Sequence, residues 1–238
     1  MEKTSETRLE KNLFEETFWE KAAKTRMGKY LTGMETSFVS DSINQVRPQM
    51  ILDVGAGAGK FSLLAAEKNA TVVSIDIDSY GLKRLRLQNK HAYIIQADAR
   101  KIPLKDEVFD AVIMIEVLDY ISEADEVFKE CHRTLKLDGL LVFSFGNKSS
   151  FKQKLRALRG KSYTHSYGRI MRWLSAAGFA VTRKMGFNWG LFGRTSESRL
   201  VPLSTGVEKL LGLRRIPSLS PWVMLHAVKS DKSLGDNH

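Results

Sequence analysis

From residue 50 onward, short runs of apolar residues alternate with segments whose apolar residues recur at helical spacing. The runs predict buried strands, and the segments between them predict amphipathic helices. The first 45 residues predict further helices, because Leu13, Phe14, Phe18 and Ala22 recur near helical spacing. The predicted strands are 51–54, 71–76, 92–98, 109–116, 139–145, 179–187 and 221–229. The predicted helices after residue 50 are 61–68, 82–89, 123–135, 167–177 and 207–213.

Apolar strands joined through helices indicate βαβ units and a parallel sheet whose two faces are both covered. Right-handed crossovers make a doubly wound sheet the natural arrangement of such units. We therefore expect an α/β fold with seven strands, mostly parallel, and an N-terminal helical cap.

The first strand runs into a glycine-rich turn, Asp53-Val-Gly-Ala-Gly-Ala-Gly-Lys60. A phosphate-binding P-loop is disfavoured, because Val54 stands where its first glycine belongs and Phe61 where its hydroxyl residue belongs. The dinucleotide fingerprint fails at its third glycine, where Lys60 stands. A purely structural turn remains open, as does a turn whose backbone closely approaches a ligand without a phosphate group.

Five motifs in order resemble those of the class I S-adenosylmethionine-dependent methyltransferases, in particular the small-molecule type. They are LDVGAGAGKF, VVSID, QADA, FDAVIMIEVLDYI and RTLKLDGLLVFS, associated with the first to the fifth strand. The resemblance covers about residues 50–146, and Leu137-Asp138 departs from the Pro-Gly that is usual in the family. It implies a Rossmann-like fold, S-adenosylmethionine as the cofactor and methyl transfer as the reaction.

The resemblance also implies cofactor-binding residues. Asp76, at the end of the second strand, matches the acid that accepts hydrogen bonds from the ribose hydroxyls, and Asp98 matches the residue beside the adenine amine. Asp53, at the end of the first strand, is placed to receive a cationic part of the ligand. The full expected set is Asp53, Gly55, Ala56, Gly57, Gly59, Asp76, Ile77, Asp98, Ala99 and Glu116.

Glu116, Asp119 and His165 are the candidate catalytic residues. Ligands of an open α/β sheet bind beyond the carboxyl ends of the strands, and Glu116 and Asp119 follow the fourth strand. His165 precedes a helix and is a candidate base near neutral pH. Each of the three has a structural alternative as a helix cap or a solvated side chain, and Asp119 stands where many relatives have histidine. Tyr120 is expected to be buried against the core.

Methyl transfer from a sulfonium requires mainly orientation, and it requires a base only where the acceptor must lose a proton. No His/Cys/Asp cluster has metal-ligand spacing, so no metal is expected. Cys131 is the single cysteine, which excludes an internal disulfide, and we expect it to be buried in a helix.

The formal net charge of +10 is concentrated in the C-terminal third, because residues 146–229 hold 16 basic and two acidic residues. We expect one domain over 1–229, with a helical cap at 1–49, a cofactor-binding core at 50–146, a basic region on the acceptor side at 147–229 and a tail at 230–238. The cations of the two expected insertions are Lys148, Lys152, Lys154, Arg156, Arg159, Lys161, Arg194, Arg199, Lys209, Arg214 and Arg215. A solvated basic face is one interpretation, and attraction of an anionic acceptor or membrane surface is the other.

These observations predict an S-adenosylmethionine-dependent methyltransferase that acts on a small or lipid-linked, anionic acceptor by in-line methyl transfer. An RNA methyltransferase, or a catalytically inactive binding module on the same fold, remains an alternative, although the sequence contains no RNA-binding module. The first 16 residues lack the apolar core of a signal peptide, and no run approaches the roughly 20 apolar residues of a membrane span. A cytoplasmic location is therefore expected, with peripheral contact to an anionic membrane surface left open.

Overall fold

Seven strands form one sheet in the order β3-β2-β1-β4-β5-β7-β6 in a computed structural model that describes residues 15–157 and 165–230. β1 to β5 pair in parallel, whereas β7 runs antiparallel to both β5 and β6. The expected mostly parallel, seven-stranded, doubly wound sheet is thus confirmed. The strands are β1 Met50–Val54, β2 Thr71–Asp76, β3 Tyr93–Gln96, β4 Phe109–Met114, β5 Leu135–Gly146, β6 Phe179–Phe187 and β7 Trp222–Lys229.

Helices flank the sheet at most of the predicted places. Some residues of the sequence predictions lie outside the described part of the structure. They are Leu13 and Phe14 of the predicted N-terminal helix, Arg159 and Lys161 of the basic region, tail residues 231–238 and the side chain of Arg156. The helices are α1 Phe18–Ala23, α2 Arg26–Val46, α3 Lys60–Ala66, α4 Ser79–Gln88, α5 Ala124–Thr134, α6 Phe151–Ala157, α7 Tyr167–Ala176 and α8 Val201–Leu210, with short 3₁₀ turns at Leu118–Tyr120 and Leu213–Arg215.

Several boundaries differ from prediction, including those of β3, β5 and α4. In two further elements the difference has a local reason. The helix predicted at 207–213 begins earlier, at Val201, because Pro202 occupies its first turn, where a missing backbone N–H costs nothing. It ends before Gly212, whose φ of 63° does not continue a helix. The strand predicted at 109–116 stops at Met114, because Glu116 has a left-handed φ of 63°.

Alternate residues of each central strand enter two separate cores, one on each face of the sheet. In β1, Leu52 packs into the core that contains Phe128 of α5, whereas Ile51 packs into the core that contains Phe38 of α2. The apolar runs of the sequence are therefore explained by burial on both faces, as expected for a parallel sheet. Cys131 is fully buried, in α5.

The N-terminal helices do more than cap the sheet. α2 packs along one face through Met27, Leu31, Phe38, Val39 and Ile43. The Thr25 side chain accepts a hydrogen bond from the Gly28 N–H and so begins the helix. The expected N-terminal helices are confirmed, and α2 supplies a substantial part of the second core.

Lys152 is buried, although it was expected among the cations of a basic surface. Its ammonium group donates to the backbone carbonyls of Asn188, Gly190 and Phe192 and to the Asn188 side chain, with distances of 3.1 Å to the Asn188 carbonyl and 2.9 Å to that of Phe192. Asn188 has a φ of 71°, so the chain turns sharply after β6. Lys152 therefore ties α6 to the start of the segment that joins β6 to β7.

We expect Lys152→Met to lower the free energy of unfolding by about 2–4 kcal/mol, because the carbonyls that accept from the ammonium group would stay buried without that donor. Lys154→Met is the matched control, since Lys154 is exposed on the same helix, and its effect should stay within about 0.5 kcal/mol. Urea denaturation of both variants provides the measurement. Equal stability of the two variants would contradict the proposed role of Lys152.

Candidate cofactor and acceptor site

The expected site residues converge on the edge of the sheet where β1, β2 and β4 end. Asp53 lies near the end of β1, Asp76 at the end of β2 and Glu116 just beyond β4. Ligands of open α/β sheets bind at this edge, and the strand order reverses direction beside β1. The glycine-rich turn joins β1 to α3 at the same edge.

The three glycines of this turn all have positive φ, but they differ in the space around the position of a Cβ. A Cβ on Gly55 would lie 2.2 Å from Val117 Cγ2, and one on Gly59 would lie 2.3 Å from Leu85 Cδ1, so both positions are filled by protein. A Cβ on Gly57 would enter open space. The N–H groups of Gly55 and Ala56 both donate to the Ile75 carbonyl, at 2.8 and 3.0 Å, which fixes the turn to β2. Gly57 is therefore the glycine of this turn whose backbone is left accessible to a ligand.

Gly81 is a fourth required glycine, and sequence analysis missed it. It lies in the first turn of α4, where a Cβ would approach the Gly57 carbonyl carbon to 2.8 Å and its Cα to 2.9 Å. Because the contact is with backbone, it leaves no room for a side chain. A glycine in the turn after an acid-terminated second strand is the sequence signal that was available.

Asp76 organises the same turn. Its Oδ2 accepts from the Gly57 N–H and its Oδ1 from the Asp78 N–H, both at 2.8 Å. Each carboxylate oxygen keeps lone-pair capacity for a further donor such as a hydroxyl group. The next residue, Ile77, is 69% exposed, and its carbonyl accepts from the Gln96 side chain at 3.0 Å. A carboxylate and an exposed apolar side chain thus stand together beyond β2.

Asp98 lies after β3 and is engaged by Arg100. The guanidinium contacts both carboxylate oxygens, the shortest distance being 2.7 Å, and it reaches Glu123 at 3.0 Å. Hydrogen bonds from Arg100 hold the pKa of Asp98 below its usual range. Ala99 is half-buried against the core beside it. Asp98 is therefore ionised and held in one orientation at this edge.

Asp53 faces the interior rather than the open edge. It is 2% exposed, and its Oδ2 accepts from the Ser62 hydroxyl at 2.5 Å, which in turn lies 2.8 Å from the Ser74 hydroxyl. Burial raises the pKa of Asp53 to about 7, and the neighbouring charge of Asp76 adds to this, although the Ser62 hydrogen bond acts in the opposite direction. The structure therefore connects Asp53 to α3, and its contact with a cationic ligand group stays a prediction.

Glu116 belongs to a buried charge cluster that sequence analysis did not find. Its carboxylate forms an ion pair with Arg194, which also lies 3.0 Å from Glu35 Oε1. The other oxygen of Glu35 accepts from Lys60 Nζ at 3.1 Å. Glu35 is 1% exposed, and burial lowers the pKa of both Lys60 and Arg194. Four segments that are distant in sequence, α2, α3, the turn after β4 and the β6–β7 connection, therefore meet in one cluster.

The cluster is covered by the N-terminal helices. The Arg194 guanidinium lies 5.2 Å from the ring centre of Trp19, and the Thr25 hydroxyl donates to the Arg194 carbonyl at 2.7 Å. Charges buried in this way are stable only when they are paired. The pairing therefore closes the N-terminal helices and the β6–β7 connection over the end of β4.

Asp119 and His165 also have protein partners. Asp119 Oδ1 accepts from the Gly146 N–H at 3.0 Å and so joins the turn after β4 to the end of β5. His165 is 6% exposed, with Nε2 2.8 Å from the Ile121 carbonyl and its ring edge-on to Trp173. Since a carbonyl only accepts, this Nε2 carries a proton. Tyr120, expected in the core, is instead 66% exposed, because the 3₁₀ turn directs it away from the sheet.

Residues 52–143 match a family model described as a methyltransferase domain, and this range contains the turn, Asp76, Asp98 and Glu116. Residues 52–143 therefore form a methyltransferase domain of the class I S-adenosylmethionine-dependent type. Its cofactor is S-adenosylmethionine. The match includes the edge of the sheet where β1, β2 and β4 end, which we call the cofactor edge, but it leaves out the N-terminal helices and the basic region.

Two curated relatives are enzymes with different acceptors. The methyltransferase is 30% identical over 152 residues to malonyl-[acyl-carrier protein] O-methyltransferase of Geobacter sulfurreducens, covering 56% of this chain and 57% of the relative. It is 25% identical over 192 residues to ubiquinone biosynthesis O-methyltransferase of Pseudomonas syringae pv. tomato, covering 72% of this chain and 82% of the relative. The first match thus spans little more than half of that relative's length.

Solved structures share the fold. Magnesium protoporphyrin IX methyltransferase from Synechocystis PCC 6803, with bound SAH, aligns with a TM-score of 0.64 at 17% identity, covering 95% of this chain and 94% of that one. An S-adenosylmethionine-dependent methyltransferase from Mesorhizobium loti aligns with a TM-score of 0.59 at 19% identity, covering 79% and 96%. At these identities the alignments support the Rossmann-like architecture alone.

The residues at this edge fit the cofactor. Open space over Gly57 admits a close ligand, the Asp76 carboxylate accepts hydroxyl donors, and Ile77 offers an exposed apolar side chain. Among the described residues, no group of His, Cys, Asp and Glu has the arrangement of a metal site. No helix in residues 15–157 or 165–230 is long and apolar enough to cross a membrane.

We expect Gly57→Ala to lower cofactor affinity about tenfold or more while the protein stays folded, because the new methyl group enters the space left for the ligand. Gly212→Ala is the matched control, since Gly212 also has a positive φ and open space around its Cβ position. Both variants should lose about 1 kcal/mol of stability from the left-handed backbone. Calorimetric titration with S-adenosylmethionine measures the affinity, and equal affinities of the two variants would show that the ligand does not pack on Gly57.

We expect Asp53 to make stability fall as the pH rises from about 4 to 7. A carboxyl group whose pKa is raised to about 7 in the folded protein, from 3.8, binds its proton more tightly in the folded than in the unfolded state. This contribution is present below the unfolded pKa and is lost as the pH rises through the folded one. At about 1.4 kcal/mol per pKa unit, the free energy of unfolding of Asp53→Asn should rise by up to about 4 kcal/mol relative to that of the unmodified protein as the pH rises across this interval. Parallel pH curves of unfolding free energy for the two proteins would contradict this assignment.

Proposed function

We propose that this methyltransferase transfers a methyl group in line to an anionic oxygen of a small or lipid-linked acceptor. The names of both curated relatives specify O-methyltransferases, one acting on malonyl-[acyl-carrier protein] and the other in ubiquinone biosynthesis. An oxygen acceptor is consistent with both names. The anionic character of the acceptor rests on the described side chains that follow β4 and β5.

The observation that carries the proposal is that all three candidate bases are engaged by protein groups. Glu116 is paired with Arg194, Asp119 accepts from the Gly146 N–H, and His165 Nε2 is directed to the Ile121 carbonyl. A general base must reach the proton that it removes. An acceptor that arrives ionised, such as a carboxylate or an acidic phenol, needs no such residue.

The cofactor edge supplies binding and orientation. We infer that Asp76 holds the ribose hydroxyls of S-adenosylmethionine and that the Gly57 backbone packs against this cofactor. The adenine would be bordered by Ile77, Asp98 and Ala99. Bound S-adenosylmethionine supplies a methyl group that its sulfonium has already activated. The acceptor oxygen would use a lone pair to form the new bond to this carbon as the C–S bond breaks, and the electron pair of the broken bond would remain on the sulfur and neutralise it. The protein contributes chiefly proximity and alignment.

The basic region is consistent with an anionic acceptor because of its exposed surface cations, and not because of a free cation at the centre of the site. Arg194 is already neutralised by Glu35 and Glu116. By contrast, Arg199, Lys209 and Arg215 are exposed and have no ion-pair partner among the described residues. Such cations attract anions over distances of about a Debye length, roughly 8 Å at physiological ionic strength. We propose a peripheral contact with an anionic membrane surface on this side of the protein.

The test is transfer of a labelled methyl group, measured against pH. Acceptors are a malonyl thioester, a prenyl-linked phenol and an RNA transcript, each at equal concentration. We expect label on an acceptor oxygen, with a rate that follows the ionisation of the acceptor. Asp119→Asn and His165→Gln keep hydrogen bonds to Gly146 and Ile121, so they should change the rate less than about threefold. Asp76→Ala should weaken cofactor binding by about 1.5–3 kcal/mol.

Three outcomes would overturn the proposal. If His165→Gln or Asp119→Asn stopped transfer while cofactor affinity stayed intact, a protein base would be required. If only RNA were labelled, the protein would be a nucleic-acid methyltransferase. If the cofactor bound with no transfer to any acceptor in a cell extract, the chain would be an inactive binding module.

A further inference from the structure

Apart from the buried Val201, helix α8 directs its large apolar residues outward, which is the reverse of an ordinary surface helix. Leu203, Val207 and Leu210 form one row along the helix and are 66%, 43% and 84% exposed. Leu200 and Leu211, at the two ends of the helix, extend the row and are 60% and 63% exposed. At 100° per residue, these five side chains occupy a continuous arc of about 100°. We call this set the α8 apolar row.

A buried carboxylate fixes this orientation. Glu208, which lies on α8 outside the arc of the row, is 2% exposed. It accepts from the Tyr30 hydroxyl, from the Trp189 N–H at 3.0 Å and from Arg214 Nε at 3.2 Å. Rotating α8 to bury its leucines would bring this carboxylate away from all three donors, at the cost of an unpaired charge. The outward direction of the row is therefore a stable property of the fold.

The charges around the α8 apolar row are positive. Arg199 and Arg215 are exposed in the segments that flank α8, and Lys209 is exposed on the helix itself, outside the arc of the row. The acids of residues 197–220 are the buried Glu208 and the exposed Glu197, which is paired with Arg26 at 3.6 Å. Arg214 does not contribute to this surface charge, because it is paired with Glu208 and lies 5.8 Å from the Tyr30 ring centre. The row is thus apolar, and the exposed charges on α8 and in its flanking segments that have no ion-pair partner among the described residues are positive.

We propose that the α8 apolar row is the surface by which this protein docks on an anionic lipid bilayer. Soluble proteins seldom expose contiguous aliphatic patches without a binding role. Protein-binding patches are enriched in aromatic residues and Met at their centres, whereas this row is entirely aliphatic. An aliphatic face combined with exposed cations elsewhere on the helix is the composition of a helix that lies in the headgroup region of an anionic membrane. The inference rests on the proposed function in one respect, since docking would bring the cofactor edge close to a lipid-linked acceptor.

The placement of α8 relative to the site supports this inference. The segment that leads into the helix contains Arg194, which is paired with Glu116 at the end of β4. Another side of α8 contacts α2, because its Glu208 accepts a hydrogen bond from the Tyr30 hydroxyl. A bilayer in contact with the row would therefore lie beside the two segments that cover the end of β4.

The experiment is co-sedimentation of the full chain with vesicles of phosphatidylcholine, with or without phosphatidylglycerol, at low and high salt. We expect retention by anionic vesicles at low salt, release at high salt, and little retention by neutral vesicles. Leu203→Gln/Leu210→Gln should reduce partitioning about tenfold or more. Lys209→Gln/Arg215→Gln should reduce it by about fivefold for each charge removed.

Matched variants separate this surface from general effects. Leu87→Gln/Leu137→Gln replaces two leucines that are 51% and 55% exposed on α4 and β5, and it should leave retention unchanged. Lys83→Gln/Lys90→Gln removes two exposed cations from the α4 region and lowers the net charge equally. It should reduce retention less than Lys209→Gln/Arg215→Gln does. Calorimetry with S-adenosylmethionine checks that all variants keep cofactor binding.

The inference fails if the unmodified protein is not retained by anionic vesicles at low salt, or if the two leucine pairs have equal effects. It also fails if sedimentation velocity shows a dimer that Leu203→Gln/Leu210→Gln dissociates without any vesicle binding. Retention by an acidic carrier protein and not by vesicles would likewise overturn it. Loss of docking with intact cofactor binding and methyl transfer to a soluble acceptor would leave the methyltransferase function standing.

Discussion

The ion pairs around Glu35 are the interaction that holds the N-terminal helices and the β6–β7 connection over the end of β4. A carboxylate that is 1% exposed is stable only if cations reach it, and Lys60 and Arg194 do so from two different parts of the chain. Arg194 then extends the cluster to Glu116. Because Lys60 follows the glycine turn directly, the same carboxylate joins the covering helices to the cofactor edge. Removing it would leave the half-buried Arg194 and the more exposed Lys60 with fewer partners.

The glycine turn shows how one sequence motif combines packing with ligand access. Gly55 and Gly59 are excluded from having side chains by Val117 and Leu85, whereas Gly57 is bordered by open space. Asp76 holds the Gly57 N–H, and Gly81 allows α4 to approach its backbone. The accessible backbone at Gly57 is thus surrounded by groups that hold it in place, which favours binding of a ligand without rearrangement of the turn.

The C-terminal third has two kinds of cation, and the distinction changes its interpretation. Lys152, Arg194 and Arg214 are internal connectors that join helices and loops through buried carbonyls or carboxylates. Arg199, Lys209 and Arg215 are exposed on α8 or in the segments that flank it. A total charge therefore overstates the field at the surface. It also fails to show that the exposed remainder is associated with an outward-facing aliphatic helix, as docking on a bilayer would require.

The sequence alone determined the sheet, its parallel strands and the position of the glycine turn, because alternation of apolar runs with amphipathic segments is a local property of the chain. It also indicated the family of the domain at residues 52–143, since each of the motifs around Gly57, Asp76 and Asp98 is one continuous stretch of the chain. Only the tertiary structure decided that Glu116 is paired with Arg194, that Asp53 faces Ser62, and that α8 exposes its leucines. These are contacts between residues that are distant in the chain or choices between two faces of one helix. They depend on which buried charges find partners, and no local pattern of residues specifies that.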